Sequence, residues 1–295
     1  MKKMLLFVNP AAGREEMRGA LMDVISRFTA AGYEVTCHPT QKPHDISEVI
    51  RDRGGQFDMI VACGGDGTLN ETVTGLMHLN KKPKPLLGYI PTGTVNDFAT
   101  SLHIPKTIPE AVENIISGVP FPVDMGGFND QYFTYVAAFG AFTEVSYVTP
   151  QDQKKMLGHL AYVLQGMQQL GRIESIHTRV TYDGGAFEGE LLYGSMSNST
   201  SVAGFVRLPE TMVHLGDGES ELVLVRDPGN VAAFAELVTS VLSERFDSEN
   251  LLILQTRSAS FHFDRPVAWT RDGEAGGEYT DIALRNCPRA VRMIF

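Results

Sequence analysis

Three acidic residues follow or interrupt short apolar segments of the kind that form buried strands. Asp66 comes after "MIVACGG", Asp97 lies in "PTGTVNDFA", and Asp124 lies in "PVDMG". Carboxylate oxygens are typical ligands of Mg²⁺, which commonly uses one or two carboxylates together with the phosphate oxygens of a nucleotide. If the fold brings these segments together, the three acids predict a magnesium-dependent reaction on a phosphate group. Taken alone, Asp97 is equally well interpreted as the cap of a following helix.

The segment around Asp66 has the composition of a phosphate-binding turn. Gly64, Gly65 and Gly67 leave backbone N–H groups unblocked between a strand and a helix, and Thr68 adds a hydroxyl. A strand-to-helix turn that requires positive φ explains the same glycines. Neither of two common phosphate-binding patterns is present: no GxxxxGK[ST] occurs, and Asn70 stands where GxGxxG has its third glycine.

The carboxylate of Asp66 bears on the choice between these interpretations. A carboxylate about 4 Å from one phosphate charge costs about 4 kcal/mol at an effective dielectric constant of about 20. Either Asp66 is a surface turn residue with no phosphate nearby, or a divalent cation links its carboxylate to the phosphate. The second alternative requires further acids from other loops, and Asp97 and Asp124 are candidates for that role.

The first part of the chain alternates short apolar strands with amphipathic helices, which is typical of a parallel sheet covered on both faces. We predict a three-layer α/β domain over residues 1–125. The carboxyl ends of parallel strands meet at one edge of a sheet, so the loops that carry Asp66 and Asp97 should face the same crevice. The predicted strands are 4–8, one near Val35, 57–63 and 86–90.

Beyond Asp124 the pattern changes to strands paired around turn sequences. Asn129-Asp130 and Asp183-Gly184 each separate two strand-like runs. We predict a mainly antiparallel β domain over residues 126–285, and a cleft between two domains is the expected place for a site. The remaining predicted segments are helices near 153–170 and 230–243, and a terminal strand at 286–295 that could pair in either domain, including a return to the first.

The composition limits the possible functions. The chain has 295 residues, of which 35 are acidic and 25 basic, so the formal net charge is −10. This charge argues against binding along a nucleic-acid backbone and against strong electrostatic docking on an anionic membrane. The three cysteines have no CxxC spacing, so neither a disulfide framework nor a structural zinc site is indicated. The apolar run 4–8 is too short for a signal sequence or a membrane span, and we expect a cytoplasmic protein.

Four motifs give the chain a resemblance to a known family. "VNPAAG" at 8–13, "GGDGTLNE" at 64–71, "PTGTVNDFA" at 91–99 and the late "RDGEA" at 271–275 occur in this order. With this order and spacing, the chain resembles the diacylglycerol kinase catalytic-domain family, and within it the soluble bacterial lipid kinases. GGDGT alone is also similar to loops of NAD kinases and phosphofructokinases, whereas the flanking motifs resemble those of lipid kinases.

The resemblance implies a nucleotide-binding α/β domain like that of NAD kinases and diacylglycerol kinases, a β-sandwich domain for the lipid acceptor, and ATP as co-substrate. It implies that Asp66, Asp97 and Asp124 organise the catalytic Mg²⁺, partly through water. It also implies that Glu274 is the general base that takes the proton of the lipid hydroxyl. The implied ATP contacts are Asn9, Thr40, Gly64, Gly65, Asp66, Gly67, Thr68, Leu69, Asn70 and Thr92.

The tripeptide Asp-Gly-Glu that contains Glu274 occurs twice, at 217–219 and at 272–274. A carboxylate on a tight turn has the reach to orient or deprotonate an attacking hydroxyl. Asp-Gly is foremost a turn former, however. The tripeptide alone therefore does not identify a catalytic residue, and the role of Glu274 is implied by the family resemblance.

By resemblance, the first copy matches a second, structural Mg²⁺ site. Its ligands would be the Asp217 carboxylate and the backbone carbonyls of His214 and Glu219, a set of hard oxygens suited to Mg²⁺ or Ca²⁺. Gly216 stands where the family more commonly has an acid. A hairpin turn without metal is the alternative interpretation.

We therefore expect an ATP- and Mg²⁺-dependent lipid kinase that transfers the γ-phosphate to a hydroxyl of a diacylglycerol-like lipid. The alternatives are a kinase for phosphatidylglycerol, a sphingoid base or NAD, and a catalytically weak nucleotide-binding regulator. The expected partners are ATP and a lipid acceptor, reached by transient peripheral contact with the membrane surface, and no nucleic acid. The apolar face of segment 154–170 either packs on its own protein or borders a lipid entrance.

Overall fold

The chain folds into two compact units. The computed structural model describes residues 1–10, 16–94, 96–141, 174–199, 201–202, 206–208 and 213–295, and the helix predicted near 153–170 lies outside this part. One unit comprises Met1–Met125 together with Pro288–Phe295, and the other comprises Gly126–Cys287. Each unit has its own buried apolar core.

The first unit alternates strands and helices. The predicted strands 4–8, 57–63 and 86–90 are confirmed to within two residues at each end. The elements are β1 (Lys2–Val8), α1 (Glu16–Ala30), β2 (Tyr33–Pro39), α2 (Asp45–Arg53), a 3-10 turn (Gly54–Gln56), β3 (Met59–Gly64), α3 (Asp66–His78), β4 (Leu86–Pro91), α4 (Asp97–Ser101), α5 (Ile108–Ser117) and the start of β5 (Pro120–Phe128).

The strands of the first unit form a parallel sheet in the order β2-β1-β3-β4. The last strand, β15 (Glu274–Ile294), adds to its edge, because Met293 pairs in parallel with Leu87 of β4. Since all these strands run the same way, their carboxyl ends meet at one edge. The loops after β1, β2, β3 and β4 therefore begin side by side.

Both faces of this sheet are buried, as the continuous apolar runs of its strands predict. Met4 and Val61 belong to a core cluster that includes α1 and α5. Their neighbours Leu5 and Ile60 point to the other face, where they are also fully buried. Burying one such side chain stabilises the fold by about 1.5–3 kcal/mol, so the core holds the strand ends firmly in register.

The second unit is rich in β-structure. The turns predicted at Asn129 and Asp183 join β5 to β6 and β8 to β9, and the helix predicted at 230–243 is α6. The elements are the end of β5, β6 (Gln131–Phe133), β7 (Val136–Gly140), β8 (Ile176–Tyr182), β9 (Gly185–Ser197), β10 (Ser201–Val202), β11 (Val206–Arg207), β12 (Ser220–Arg226), α6 (Val231–Leu242), β13 (Leu251–Thr256), β14 (Ser258–Arg271) and most of β15.

Four antiparallel strands of the second unit pair in a closed ring. β9 pairs with β8 along its first half and with β7 along its second, and β14 pairs with the same two strands. β12 and then β13 extend the sheet from β9. Aromatic side chains fill the core, for example Phe139 and Trp269, whose ring centroids lie 4.8 Å apart. Within the described residues, no helix is long and apolar enough to cross a membrane.

Candidate active site

Three backbone hydrogen bonds join the loops at the carboxyl edge of the parallel sheet. The N–H of Asn9 donates to the carbonyl of Cys63 at 3.0 Å, and that of Thr40 donates to the carbonyl of Val8 at 2.9 Å. The N–H of Thr92 donates to the carbonyl of Gly64 at 2.9 Å. The structure thus brings together the four segments from which the resemblance implied ATP contacts.

The glycine-rich segment is mostly helical. Helix α3 begins at Asp66, and its cap residue Gly65 has φ −91°, which any residue can adopt. Gly67 therefore lies in the first turn of the helix, while the side chains of Thr68 and Leu69 are buried. Any contact of Leu69 with a ligand would have to come from its backbone, because its side chain is fully buried.

Close packing, rather than positive φ, explains the glycines at positions 64 and 65. A Cβ atom on Gly64 would collide with the side chain of Thr68. Gly65 lies against Gly93 of the next loop, where a Cβ atom on Gly93 would be 2.5 Å from the Gly65 Cα. The backbones of the Asp66 and Asp97 segments can therefore approach each other only because both have glycine at the contact. The positive-φ interpretation of the sequence was wrong at Gly65.

The Asp66 carboxylate lies where these two segments meet. Its Oδ2 atom accepts a hydrogen bond from the backbone N–H of Asp97 at 3.2 Å, and the side chain is half-buried. Asp66 is also the first residue of a 13-residue helix, and a negative charge at a helix N-terminus is stabilised by about 0.3–1 kcal/mol. The fold thus fixes one Asp66 oxygen and favours its negative charge.

Asn96 shapes the second loop, and the sequence analysis did not single it out. It adopts the left-handed region with φ 54°, and its Oδ1 accepts from the Gly93 N–H at 3.1 Å and from the Tyr89 hydroxyl at 3.3 Å. Its Nδ2 donates to the Gly93 carbonyl at 2.7 Å. Asn96 is also the residue that precedes helix α4, so Asp97 is the first helical residue and not the cap.

Two further side chains tie the edge together. Asn9 Nδ2 donates to Thr68 Oγ1 at 3.3 Å, which links the loop after β1 to helix α3. Glu71, the last residue of the motif at 64–71, accepts from the backbone N–H groups of His44 at 2.7 Å and Ile46 at 3.3 Å. Glu71 therefore caps α2 from α3, a role that local sequence gives no sign of, since the partners are 27 and 25 residues away.

The loop that follows Thr40 is held by a second carboxylate. Asp45 Oδ2 lies 3.0 Å from His38 Nε2 and accepts from the Gln41 N–H at 2.9 Å. The hydrogen bond with His38 lowers the pKa of Asp45. Asp45 therefore bonds to His38, before Thr40, and to Gln41, after it, which holds this loop in place.

Asp124 occupies a different setting from Asp66. It is fully buried in β5, and its Oδ1 accepts from the backbone N–H of Arg289 at 2.6 Å. Arg289 has φ 50° and lies in the terminal segment that belongs to the same unit. Asp124 thus anchors the returning strand.

Glu274 lies on a tight turn of the second unit. Arg271 pairs with Glu274 across Asp272 and Gly273, whose φ angles of 49° and 79° are both positive, as in a type I′ hairpin. The Glu274 side chain is exposed. The turn thus presents a solvent-accessible carboxylate at the end of a rigid hairpin.

Asp272 holds this turn in place and was missed as a functional candidate. Its buried carboxylate accepts from three successive backbone N–H groups, those of Thr134 at 2.7 Å, Tyr135 at 2.9 Å and Val136 at 3.1 Å. Its own N–H donates to the Val136 carbonyl at 2.9 Å. The Asp-Gly dipeptide indicated the turn, but nothing local indicated where the carboxylate is anchored.

The predicted second metal site has the contacts of a turn. Asp217 Oδ1 accepts from the Glu219 N–H at 3.0 Å, and the Glu219 carbonyl accepts from Asn286 Nδ2 at 2.9 Å. The Asp217 and His214 side chains are exposed. Among the described residues, no group of three or more His, Cys, Asp or Glu side chains is arranged to hold a metal ion. The second metal site stays a prediction.

Comparison with known proteins gives consistent matches. The family model for the diacylglycerol kinase catalytic domain matches residues 3–128. The chain is 36% identical over 281 residues to a diacylglycerol kinase of Bacillus subtilis (strain 168), covering 94% of this chain and 91% of that protein. It is 35% identical over 280 residues to one of Staphylococcus carnosus (strain TM300), covering 94% and 90%.

A solved structure matches the fold. A crystal structure of a diacylglycerol kinase from Bacillus anthracis (strain Sterne) aligns with a TM-score of 0.77 at 24% identity, over 100% of this chain and 97% of that chain. The matches define a lipid kinase, a transferase with a hydroxyl group as acceptor. The chain belongs to the diacylglycerol kinase family.

Proposed function

We propose that this protein is an ATP- and Mg²⁺-dependent kinase that phosphorylates a hydroxyl of a diacylglycerol-like lipid. The observation that carries the proposal is the contact between the Asp97 N–H and Asp66 Oδ2 at 3.2 Å, at the carboxyl edge of the parallel sheet. Loops at such an edge, next to a helix N-terminus, commonly bind nucleotide phosphates. The names of the two relatives support a diacylglycerol acceptor.

The proposed nucleotide site uses backbone and short polar side chains. Gly64, Gly65 and Gly67 are proposed to offer backbone N–H groups to phosphate oxygens at the start of α3, and the Thr68 hydroxyl already accepts a hydrogen bond from Asn9. The remaining proposed contacts come from the loops after β2 and β4 and from helix α3, and are Thr40, Leu69, Asn70 and Thr92. Hydrogen bonds among these loops support the proposal, because a site that is fixed before binding loses less entropy when the ligand binds.

The residues present fit a catalytic Mg²⁺. Asp66 is a half-buried carboxylate with one oxygen fixed by the protein, and Mg²⁺ takes most of its other ligands from phosphate and water. Bound Mg²⁺ would neutralise charge on the phosphate oxygens. Asp97 and Asp124 are proposed to assist through water, as the resemblance to the diacylglycerol kinase family implies.

The proposed transfer assigns one chemical step to Glu274. Its carboxylate accepts the proton of the lipid hydroxyl while the hydroxyl oxygen forms a bond to the γ-phosphorus. The bond between the γ-phosphorus and the bridging oxygen breaks, and ADP leaves with the electron pair. General-base catalysis of this kind contributes about 10²–10⁴-fold, and the hairpin fixed by Asp272 supplies the required orientation.

The second unit is proposed to be the acceptor domain, with the β-sandwich architecture that the family resemblance implies. We further propose a cytoplasmic protein that reaches its lipid by transient contact with the membrane surface. The net charge of −10 favours contact through apolar groups over electrostatic docking.

The decisive experiment is incubation of the purified protein with labelled ATP, Mg²⁺ and fractionated lipids, followed by separation of the labelled products. We expect one labelled lipid, formed from diacylglycerol. Labelling of phosphatidylglycerol or of a sphingoid base would change the acceptor. Labelling of NAD without lipid, or ATP binding without transfer to any acceptor, would contradict a lipid kinase.

A further inference from the structure

A mostly buried histidine–aspartate pair lies beside the loop that carries Thr40. His38 Nε2 is 3.0 Å from Asp45 Oδ2, and 22% and 11% of the two side chains are exposed. The His38 ring also packs edge-to-face against Phe7 of β1, with ring centroids 5.5 Å apart. The ring is therefore held between a strand of the parallel sheet and the first residue of helix α2.

The hydrogen bonds of His38 identify the form of its ring. Arg53 Nη2 lies 3.4 Å from His38 Nδ1, and a guanidinium group can only donate. Nδ1 therefore accepts, which leaves the proton of the neutral ring on Nε2, where it is donated to Asp45. Because both ring nitrogens are engaged, the arrangement suits a side chain that holds its neighbours in place better than one that exchanges protons with a substrate.

A single oxygen of Asp45 joins the two sides of Thr40. Asp45 Oδ2, which binds His38, also accepts from the backbone N–H of Gln41 at 2.9 Å. His38 comes two residues before Thr40, and Gln41 comes one residue after it. The Thr40 N–H itself donates to the Val8 carbonyl at 2.9 Å. The backbone of Thr40 is thus bound to β1, and both of its flanks are bound to Asp45.

The other end of this loop is attached to the helix that begins at the proposed phosphate site. Glu71 of α3 accepts from the backbone N–H groups of His44 at 2.7 Å and Ile46 at 3.3 Å. His44 has φ 65°, a left-handed conformation that is uncommon for a residue other than glycine. Such a conformation persists where the surrounding structure fixes it. The loop 40–45 is therefore tied to α3 as well as to β1.

Stability alone gives little reason for a buried carboxylate at this place. Taking Asp45 and its partner out of water costs desolvation, which their mutual attraction often only offsets. A well-packed apolar pair in place of His38 and Asp45 would serve the fold as well. It would, however, leave the Gln41 N–H without its acceptor and the position of Thr40 less defined.

We propose that His38 and Asp45 are positioning residues that hold Thr40 in the place where it contacts ATP. The inference rests on the proposed function, in which Thr40 binds the nucleotide, and adds two residues that act on ATP binding without touching ATP. A contact that is ordered before binding loses less entropy when the ligand binds. Loss of either side chain should therefore weaken the binding of ATP and leave the binding of the lipid unchanged.

The test compares the Michaelis constants for ATP and for diacylglycerol in His38→Leu, His38→Gln and Asp45→Asn. We expect His38→Leu and Asp45→Asn to raise the KM for ATP about 10-fold, the equivalent of one lost hydrogen bond. The KM for diacylglycerol and kcat should stay within about twofold. His38→Gln keeps an N–H group that can reach Asp45, so its KM for ATP should stay within about threefold. Asp45→Asn serves where His38→Leu does not fold.

A double-mutant cycle tests whether His38 acts through Thr40. If His38 works by placing Thr40, the two replacements are coupled and their effects are not additive. In the Thr40→Val protein, His38→Leu should then raise the KM for ATP by less than about twofold. An undiminished rise in that background would show that His38 influences ATP by another route and would overturn the inference.

His262→Leu is the matched control. His262 Nδ1 lies 2.8 Å from Asp281 Oδ1, so this pair has the same chemistry, but it is exposed and belongs to the second unit. Its replacement should leave the KM for ATP unchanged. Unchanged KM values for ATP in folded His38→Leu and Asp45→Asn would overturn the inference, as would an equal rise in both KM values.

A binding measurement separates this inference from the proposed function. Calorimetric titration with Mg²⁺ and a non-hydrolysable ATP analogue needs no lipid, and it should show about 10-fold weaker binding to His38→Leu than to the unaltered protein. If the unaltered protein binds the analogue more tightly than His38→Leu does but phosphorylates no lipid, the kinase proposal fails and the positioning role stands. If both proteins bind the analogue equally and the unaltered protein phosphorylates diacylglycerol, the inference fails and the kinase proposal stands.

Discussion

The chain contains the tripeptide Asp-Gly-Glu in two places, and the structure uses the two copies differently. At 217–219 the aspartate is exposed and accepts one hydrogen bond, from the N–H two residues ahead. At 272–274 the aspartate is buried and accepts three, from backbone groups 136 to 138 residues earlier in the chain. In both copies the glycine has positive φ, 89° at Gly218 and 79° at Gly273.

The comparison shows that forming a turn and holding it in a defined position depend on different interactions. Local sequence suffices for the turn, because Asp-Gly supplies the left-handed glycine in either place. In the second copy the aspartate carboxylate is bonded to a distant strand, whereas the Asp217 carboxylate bonds within its own turn. The turn that carries Glu274 is therefore held at a defined position by its aspartate. A side chain that must meet a substrate benefits from that rigidity.

The largest expected effect is on catalysis. Glu274→Gln should lower kcat by about 10²–10⁴-fold, because the amide cannot accept the hydroxyl proton. Binding of ATP, measured by calorimetry, should be nearly unchanged. Glu219→Gln is the matched variant, and since the Glu219 carboxylate forms a surface ion pair with Arg257 at 3.4 Å, turnover of this variant should stay within about twofold. Equal losses in the two variants would remove Glu274 from the mechanism.

The second effect is on stability. Asp272→Ala leaves three backbone N–H groups without their charged acceptor, so the free energy of unfolding should fall by about 3 kcal/mol. Asp217→Ala removes one exposed hydrogen bond and should cost less than about 1 kcal/mol. Urea unfolding followed by circular dichroism measures both values. Similar costs would show that the buried anchor contributes no more than the exposed turn.

Replacing the turn glycine by alanine should destabilise the protein by nearly the same amount in the two copies. Gly218→Ala and Gly273→Ala each force an alanine into the left-handed region, which costs about 1–2 kcal/mol. Among the described residues, the nearest atom to a Cβ on Gly273 would be the Tyr135 hydroxyl at 3.6 Å, which is an ordinary contact distance. Turnover should fall only in Gly273→Ala. Thermal unfolding and the kinase assay, performed on the same samples, test both statements.

The smallest effect concerns the predicted second metal. Asp217→Asn keeps the side-chain acceptor of the turn and should change stability by less than about 0.5 kcal/mol. Since the Asp217 carboxylate and the Glu219 carbonyl already have protein partners, we expect added Mg²⁺ or Ca²⁺ to shift the melting temperature of both proteins alike. A shift confined to the unaltered protein would instead identify the metal site implied by the family resemblance.

Sequence reasoning succeeded where a local pattern decides the structure. The run Met59, Ile60 and Val61 predicted β3, and the rule that parallel strands end at one edge predicted that the Asp66 and Asp97 loops meet, which they do. Turns with Asn or Asp beside Gly and the amphipathic helix at 230–243 were found for the same reason.

Sequence reasoning failed where a side chain acts on distant backbone. The role of Glu71 depends on how α2 packs beside α3, and that of Asp272 depends on the register of β14 against β7. No spacing along the chain encodes these partners. The reason for the glycines of the Asp66 segment was also not predictable from local sequence. These positions require glycine because of contacts with Gly93 and Thr68, not because of the glycine torsion angle.

The terminal segment determines which truncated forms of the protein can fold. Residues 288–295 supply buried Val291, Met293 and Ile294 to the first unit, and Arg289 supplies the N–H that Asp124 accepts. A fragment that stops at residue 125 therefore contains the first unit without this terminal strand and without the Arg289 N–H that donates to Asp124. Joining residues 1–125 to residues 288–295 through a short linker should restore a self-contained domain, because this unit is built from two separate stretches of the sequence.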